Sequence, residues 1–254
     1  MAGMGASLTL RPAGVGAAYA MPGEAQSSYL VLAGDRAICL DLGSGALNNL
    51  QRLVDPERLE LVVISHLHPD HCVDLLALRV YMAWGPGRGR RLTVLGPAGL
   101  RDRLVAFGGE DGWDQAFRFE TLEGASGERD LGDGLVLRHA EVPHTPPTFA
   151  LRLDWRHSSL CFGADCAPND ALPWLAAGCG LLVAECSFGA EPVPDGVTHL
   201  DAPAAAQMAA DAGVGRLLLT HCYPEFDRDR ALEAARLRFD GPVEWARQGE
   251  AVAA

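Results

Sequence analysis

The sequence contains no apolar run near the roughly 20 residues that a membrane-spanning helix needs, so no membrane partner is expected. It is also short of positive charge, with 21 Lys and Arg against 33 Asp and Glu and a net charge of −12. Polyanion binding draws its affinity mainly from cationic contacts to phosphates, so this balance disfavours a long nucleic-acid partner. A small anionic substrate stays open, because metal ions in a pocket would invert the local field. CxxC pairs are absent, and the seven cysteines are odd in number and scattered. They read as reduced thiols rather than a disulfide framework. A secretory leader is not expected either. Ala18-Tyr19-Ala20 looks like a cleavage triplet, but Arg11 and Pro12 break the preceding apolar stretch and a basic start is missing. The expected location is the cytoplasm. At 254 residues, 48% hydrophobic and 21% charged, the chain can bury a substantial core. Without a linker-like stretch or short repeat, one domain over 1–254 is expected, and a homodimer is left open.

What the chain does have is concentrated in Ile64-Ser65-His66-Leu67-His68-Pro69-Asp70-His71. Three histidines and an aspartate fall within six residues, directly after the apolar run Leu61-Val62-Val63-Ile64. That run is short and β-branched, which predicts a buried strand. Residues 73–84 carry apolar side chains at Leu75, Leu76, Val80 and Ala83, which predicts a helix. The histidines thus lie on a strand-to-helix loop, where a rigid scaffold can aim them at one point. Histidines on a loop can simply be solvated, but this density of imidazole and carboxylate suits a divalent ion. Zinc comes first, with Mn2+ or Fe2+ as alternatives.

Elsewhere, apolar runs and turn residues predict strands at 7–10, 28–32, 37–40, 92–95, 135–142, 149–153, 159–162, 181–184 and 216–220. Helices are predicted at 47–53, 99–107, 203–212 and 228–239. Residues 1–26 are Gly- and Ala-rich and weakly patterned. Asp41 stands at a strand end beside Gly43, as a carboxylate that fixes a neighbouring loop or as a turn former. The acidic, Gly-rich stretch 108–134 reads as a solvated face. His144, Asp165, Glu185 and His221 each follow a strand and precede a turn or helix. Polar groups delivered from several strand ends converge on one sheet edge, a common place for a site in α/β architectures.

The run His66-x-His68-x-Asp70-His71, followed in order by His144, Asp165 and His221, resembles the metallo-β-lactamase superfamily. The resemblance spans about 27–245 and implies an αββα sandwich with a two-metal site between the sheet edges. It assigns His66, His68 and His144 to one metal and Asp70, His71 and His221 to the other, with Asp165 bridging. The closer likeness is to the phosphodiesterase branch, which includes ribonuclease Z and small cyclic-nucleotide phosphodiesterases. Leu95-Gly96-Pro97-Ala98-Gly99-Leu100 looks like that branch's Gly-Pro turn, and His144-Thr145-Pro146-Pro147 its third metal motif. Leu181 to Phe188 resembles its apolar strand with an acidic end, and Thr198-His199-Leu200-Asp201 the segment supplying an extra histidine. Asp74 and Ala150 stand where relatives carry glycine, which bears on pocket shape rather than on the metal motif.

Two such ions activate water at neutral pH and clamp a phosphoryl oxygen for in-line attack, and Asp70 would orient that water as well as bind metal. His199 is the candidate acid for the leaving oxygen, oriented by Glu185; the plainer readings are a loop histidine and a solvent-facing strand-end acid. Cys72, Cys166 and Cys222 each follow a proposed ligand, and a thiolate can bind zinc. Neighbours on a strand point to opposite faces, so they are expected in the core. His139 and His157 match nothing and are expected to be ordinary surface or strand residues. The expected function is a zinc phosphodiesterase acting on a small cyclic or nucleotide-like phosphodiester. The alternatives are a ribonuclease Z-type tRNA 3′-processing endonuclease and a mononuclear iron oxygenase, which would not need His199 and Glu185. A non-catalytic binding module is disfavoured because every proposed ligand is present.

Overall fold

The computed structural model describes residues 7–254; residues 1–6, the beginning of the Gly- and Ala-rich stretch, lie outside the described residues. The first half of the chain runs β1 (Leu8–Gly14), β2 (Ser28–Ala33), β3 (Arg36–Leu40), α1 (Ala46–Leu53), β4 (Leu59–Val63), α2 (Pro69–Cys72), α3 (Leu75–Trp84), β5 (Leu92–Gly96), α4 (Leu100–Gly108), α5 (Trp113–Ala116) and β6 (Phe117–Thr121). The second runs β7 (Ser126–Asp130), β8 (Leu135–Val142), β9 (Thr148–Trp155), β10 (Ser158–Phe162), α6 (Ala171–Ala176), β11 (Leu181–Glu185), α7 (Ala202–Ala212), β12 (Leu217–Thr220), α8 (Arg228–Arg236), β13 (Val243–Trp245) and β14 (Val252–Ala253). Two seven-stranded sheets result, ordered β14-β1-β2-β3-β4-β5-β6 and β13-β12-β11-β10-β9-β8-β7. In each, a run of antiparallel strands gives way to parallel ones: β3 to β6 in the first, β10 to β13 in the second.

The strands of these parallel regions are buried on both faces, so they read as apolar runs rather than alternations. In β3, Ile38 and Leu40 face the other sheet while Ala37 and Cys39 face the helices. The core is accordingly layered. One cluster joins the first sheet to α1, α3, α4 and α5, a second fills the space between sheets, and a third joins the second sheet to α6, α7 and α8. This is the αββα sandwich that the resemblance implies. Between the sheets, the buried Tyr29 and Thr220 hydroxyls share a 2.6 Å hydrogen bond just below the strand ends that carry the site.

Several expectations need correction. Residues 108–134 are more than a solvated face, since they supply α5 and the edge strands of both sheets, β6 and β7. Trp113 and Phe117 there are fully buried, and an Arg129–Glu120 ion pair links the two edges. Charged residues alternating with a few aromatics hide the strand signal. The first strand extends to Gly14, and β13 and β14 were too short to pattern. The helix expected over 73–84 is α3, beginning at Leu75, and a separate single turn, α2, precedes it on the metal loop itself. Between the two, the Asp74 carboxylate accepts the Leu47 N–H at 2.9 Å, satisfying a free donor at the start of α1. His139 is a strand residue, one of the two readings given for it, and lies buried in β8 with Nε2 3.1 Å from the Glu123 carbonyl. Among the described residues, no helix is long and apolar enough to cross a membrane.

Candidate metal centre

The site residues lie just past the carboxyl ends of the strands, on loops and on the short helix α2. His66, His68, Asp70 and His71 follow β4, His144 follows β8, Asp165 follows β10, and His221 follows β12. The metal loop packs against the turn after β3 with no space between. A Cβ on Gly43 would stand 1.9 Å from the Asp70 carbonyl oxygen, so glycine is required there. Three non-glycine residues at the site adopt left-handed backbone: Asp41 (φ 57°), Ala164 (φ 54°) and His221 (φ 53°). Such conformations cost about 1 kcal/mol or more each and persist where the surroundings over-determine them.

All seven expected ligands converge. His66, His68, His144 and Asp165 form one group of donors, and Asp70, His71, Asp165 and His221 a second; within each group the donor atoms lie within 4.8 Å of one another. In the first, His66 Nε2 is 3.1 Å and His144 Nε2 3.2 Å from His68 Nδ1. In the second, His221 Nε2 lies 3.3 Å from His71 Nε2 and 3.2 Å from Asp70 Oδ2. Asp165 belongs to both, with Oδ1 3.4 Å from His71 and Oδ2 3.9 Å from His66. Lone pairs at such spacing, on imidazole and carboxylate, fit a pair of divalent ions with N/O preference.

Behind the ligands, each sheet builds the same device, a buried carboxylate with a serine that orients two histidines. On the first sheet, Asp41 accepts His71 Nδ1–H at 2.7 Å and the Ser65 hydroxyl at 2.7 Å, and Ser65 Oγ lies 3.1 Å from His66 Nδ1. On the second, Glu185 Oε1 accepts His199 Nδ1–H at 2.9 Å and Oε2 accepts the Ser187 hydroxyl at 2.5 Å. Ser187 Oγ then lies 3.1 Å from His221 Nδ1. Protons held at Nδ1 leave Nε2 as the free donor on His66, His71 and His221, the usual outer support of a metal site. His144 is held likewise, its Nδ1 2.8 Å from the Thr198 carbonyl.

Burial pulls the charge states in opposite directions. It holds His66 well below its ordinary value, reinforced by the charge of His71, and lowers His68. For His71, burial is outweighed by Asp165 and Asp41, which raise it well above the ordinary value; for His221, it is outweighed by Asp165 and Asp70. Asp70 and Asp165 resist burial because the neighbouring histidines, His221 and His71, hold both well down. Without metal, the second group is therefore a network of imidazolium and carboxylate. At His199, burial is overcome by the Glu185 hydrogen bond and charge, then by Asp165 and Asp70, bringing it to about 9.

Glu185 is fully buried, which excludes the solvent-facing reading, and also accepts the Cys166 N–H at 2.9 Å. His199 lines the mouth of a cavity of about 530 Å³ together with His68, Asp70, Asp165, Ser44 and Tyr223. Burial, with the carboxylates of Asp165, Asp70 and Glu185, pushes the Tyr223 phenol up to about 12. Cys72, Cys166 and Cys222 belong to neither donor group, and all three are buried. The Cys72 thiol donates to the His68 carbonyl at 3.2 Å, and burial raises it to about 12. Ser65, Ser187, Thr198 and Tyr223 escape sequence reasoning. The signals available were weak: a serine preceding the first histidine, and one two residues after the acidic strand end.

A sequence profile of the β-lactamase superfamily domain matches residues 36–222. A Mycobacterium tuberculosis protein is 35% identical over 229 residues, covering 87% of this chain and 83% of its own length. Ribonuclease Z of Mycobacterium marinum is 31% identical over 261 residues, covering 91% of this chain and 93% of its own. In three dimensions the chain is similar to the metallo-β-lactamase fold protein YhfI from Bacillus subtilis. The TM-score is 0.89 at 23% identity, covering 98% of this chain and 100% of that one.

Proposed function

This chain belongs to the β-lactamase superfamily, and on that premise we propose that it is a dinuclear zinc phosphodiesterase acting on a small cyclic or nucleotide-like phosphodiester. His66, His68 and His144 would hold one ion and Asp70, His71 and His221 the other, with Asp165 between them. When bound, such a pair activates water and neutralises phosphoryl charge. The observation that carries the reading is the His199–Glu185 pair, 2.9 Å apart, on the cavity beside both donor groups. With Nδ1 held by Glu185, His199 presents Nε2 to the cavity. Its proton is available at neutral pH to a departing alkoxide. A mononuclear oxygenase would have no use for this acid.

The test is His199→Ala on a series of phosphodiesters with graded leaving groups. Metal content should stay unchanged while kcat falls ~10²–10⁴-fold for alkoxide leaving groups, the usual worth of a general acid. The loss should shrink for nitrophenolate, which needs little protonation. An equal loss across the series would remove His199 as the acid.

The likeness to the mycobacterial ribonuclease Z supports a second reading, a tRNA 3′-processing endonuclease. Against it stand the net charge of −12, a sequence without lysine, and a cavity lining that includes no arginine among the described residues. A long phosphate backbone needs such cations. Site-selective cleavage of precursor tRNA, at rates exceeding those on small diesters, would put this reading first.

A further inference from the structure

Apart from the metal ligands and His199, the cavity beside the donor groups offers few side chains that could touch a phosphoryl oxygen. Asp70 and Asp165 line it, and the sequence has no lysine to offer. The Gln26 side-chain amide faces it but is committed to the Ala18 and Ala17 carbonyls, at 2.6 and 3.2 Å. Apart from His199, the protic side chains left are the Ser44 and Tyr223 hydroxyls. Ser44 sits exposed on the rim.

Tyr223 is held. Its ring stacks on Tyr19 with centroids 4.8 Å apart and meets the edge of Phe188 at 6.0 Å. Phe188 is backed by Phe226 at 5.6 Å. Tyr19 is pinned in turn, its hydroxyl donating to Glu225 at 2.6 Å. On its inner side the Tyr223 ring lies 6.5 Å from the His199 ring. Four aromatic rings and a hydrogen bond thus fix a phenol at the cavity wall. Among the described residues its hydroxyl has no hydrogen-bond partner, while its backbone N–H donates to the Ser187 carbonyl at 3.1 Å and its carbonyl accepts the Phe226 N–H at 3.2 Å. A fixed donor aimed where charge develops is worth more than a mobile one, because no reorganisation is needed during reaction.

We propose that the Tyr223 phenol donates a hydrogen bond to a non-bridging phosphoryl oxygen of the substrate as charge grows there during attack. The inference rests on the phosphodiesterase reading. A diester carries one negative charge, which grows on its non-bridging oxygens as water attacks. A neutral donor serves that growth without adding charge.

Tyr223→Phe tests this, because it keeps the ring against Tyr19 and Phe188 and removes only the hydroxyl. Steady-state kinetics on aryl and alkyl phosphodiesters would be run on metal-loaded wild type, Tyr223→Phe and Ser44→Ala, with elemental analysis and binding of inorganic vanadate. Tyr223→Phe should keep its metal content and lose roughly 10–100-fold in kcat, the worth of a hydrogen bond to a charged group. KM should change little, the loss should be the same for every leaving group, and Ser44→Ala should behave as wild type. Vanadate should bind Tyr223→Phe more weakly by a similar factor. A kcat within about twofold of wild type, or a loss that grows with leaving-group basicity, would overturn the proposal. If the wild type cleaves no phosphodiester, the underlying reading falls and vanadate decides alone. Weaker binding to Tyr223→Phe would keep the phenol as an oxyanion donor, and equal binding would end that role too.

Discussion

Asp41→Asn removes one charge from the interior and leaves the shape of the side chain intact. Asparagine tolerates the left-handed backbone at this position as well as aspartate does, so the turn after β3 should survive. The hydrogen bonds should not. Asp41 accepts three protons: from the Ser65 amide at 2.6 Å, the Ser65 hydroxyl at 2.7 Å and His71 Nδ1 at 2.7 Å. If the asparagine oxygen replaces the carboxylate oxygen near His71, its NH2 confronts the Ser65 amide, and two donors meet. If the group is flipped, the NH2 faces His71 and forces Nδ1 to become an acceptor. The His71 proton then moves to Nε2, the atom meant for metal. Either arrangement strands a buried donor at about 1–3 kcal/mol. That equals roughly a 10–100-fold loss of metal affinity, the range usual for such outer partners. Competition with a chromophoric chelator resolves the two ions. The one held by Asp70, His71 and His221 should weaken by that factor. The other should weaken less, through Ser65 and His66, and Ser65→Ala should weaken it alone. Unchanged affinity for both ions would mean that Asp41 only shapes the turn.

Elemental analysis of purified protein should find close to two equivalents of zinc or a similar divalent ion, and Asp165→Ala should lose both; one tightly held iron would refute the dinuclear site. Metal uptake near neutral pH should release protons, because Asp165, Asp41 and Asp70 raise His71 and His221 until metal displaces their protons. Calorimetric binding enthalpies should therefore vary with the ionisation enthalpy of the buffer, and no such variation would contradict the charge network. Glu185→Gln should disturb both His199 and, through Ser187, His221, so it should slow poor leaving groups and also weaken metal binding; an effect on only one of the two would break the proposed relay. In metal-free protein, His199 has a folded value of about 9 against an ordinary 6.5. The stability it contributes is fully present below about 6.5 and lost as pH rises through about 9. The gap in Tm between wild type and His199→Ala should shrink over that window, and a gap that widens with pH would reverse the assignment.

The donors and much of the frame are legible from the residues alone. His-x-His-x-Asp-His after an apolar run needs only local rules to be read as a metal loop. His144, Asp165 and His221 are legible because each ends a strand whose apolar run is plain. Both sheets' buried strands show through because burial on two faces leaves uninterrupted apolar segments, as in β4 and β11. The edges do not show, since β6, β7, β13 and β14 are short or charge-diluted and exist only because a neighbouring strand supplies their hydrogen bonds. The roles of Asp41, Ser65, Ser187 and Tyr223 were decided by tertiary structure alone. Asp41 could equally have been a turn former, and its partner His71 lies 30 positions away. Ser187 meets His221 across 34 positions, and Tyr19 meets Tyr223 across more than 200. Local propensity records which residues can form a strand, a turn or a ligand. Which oxygen faces which ring nitrogen depends on the packing of two sheets across a shared core, which only the folded chain specifies.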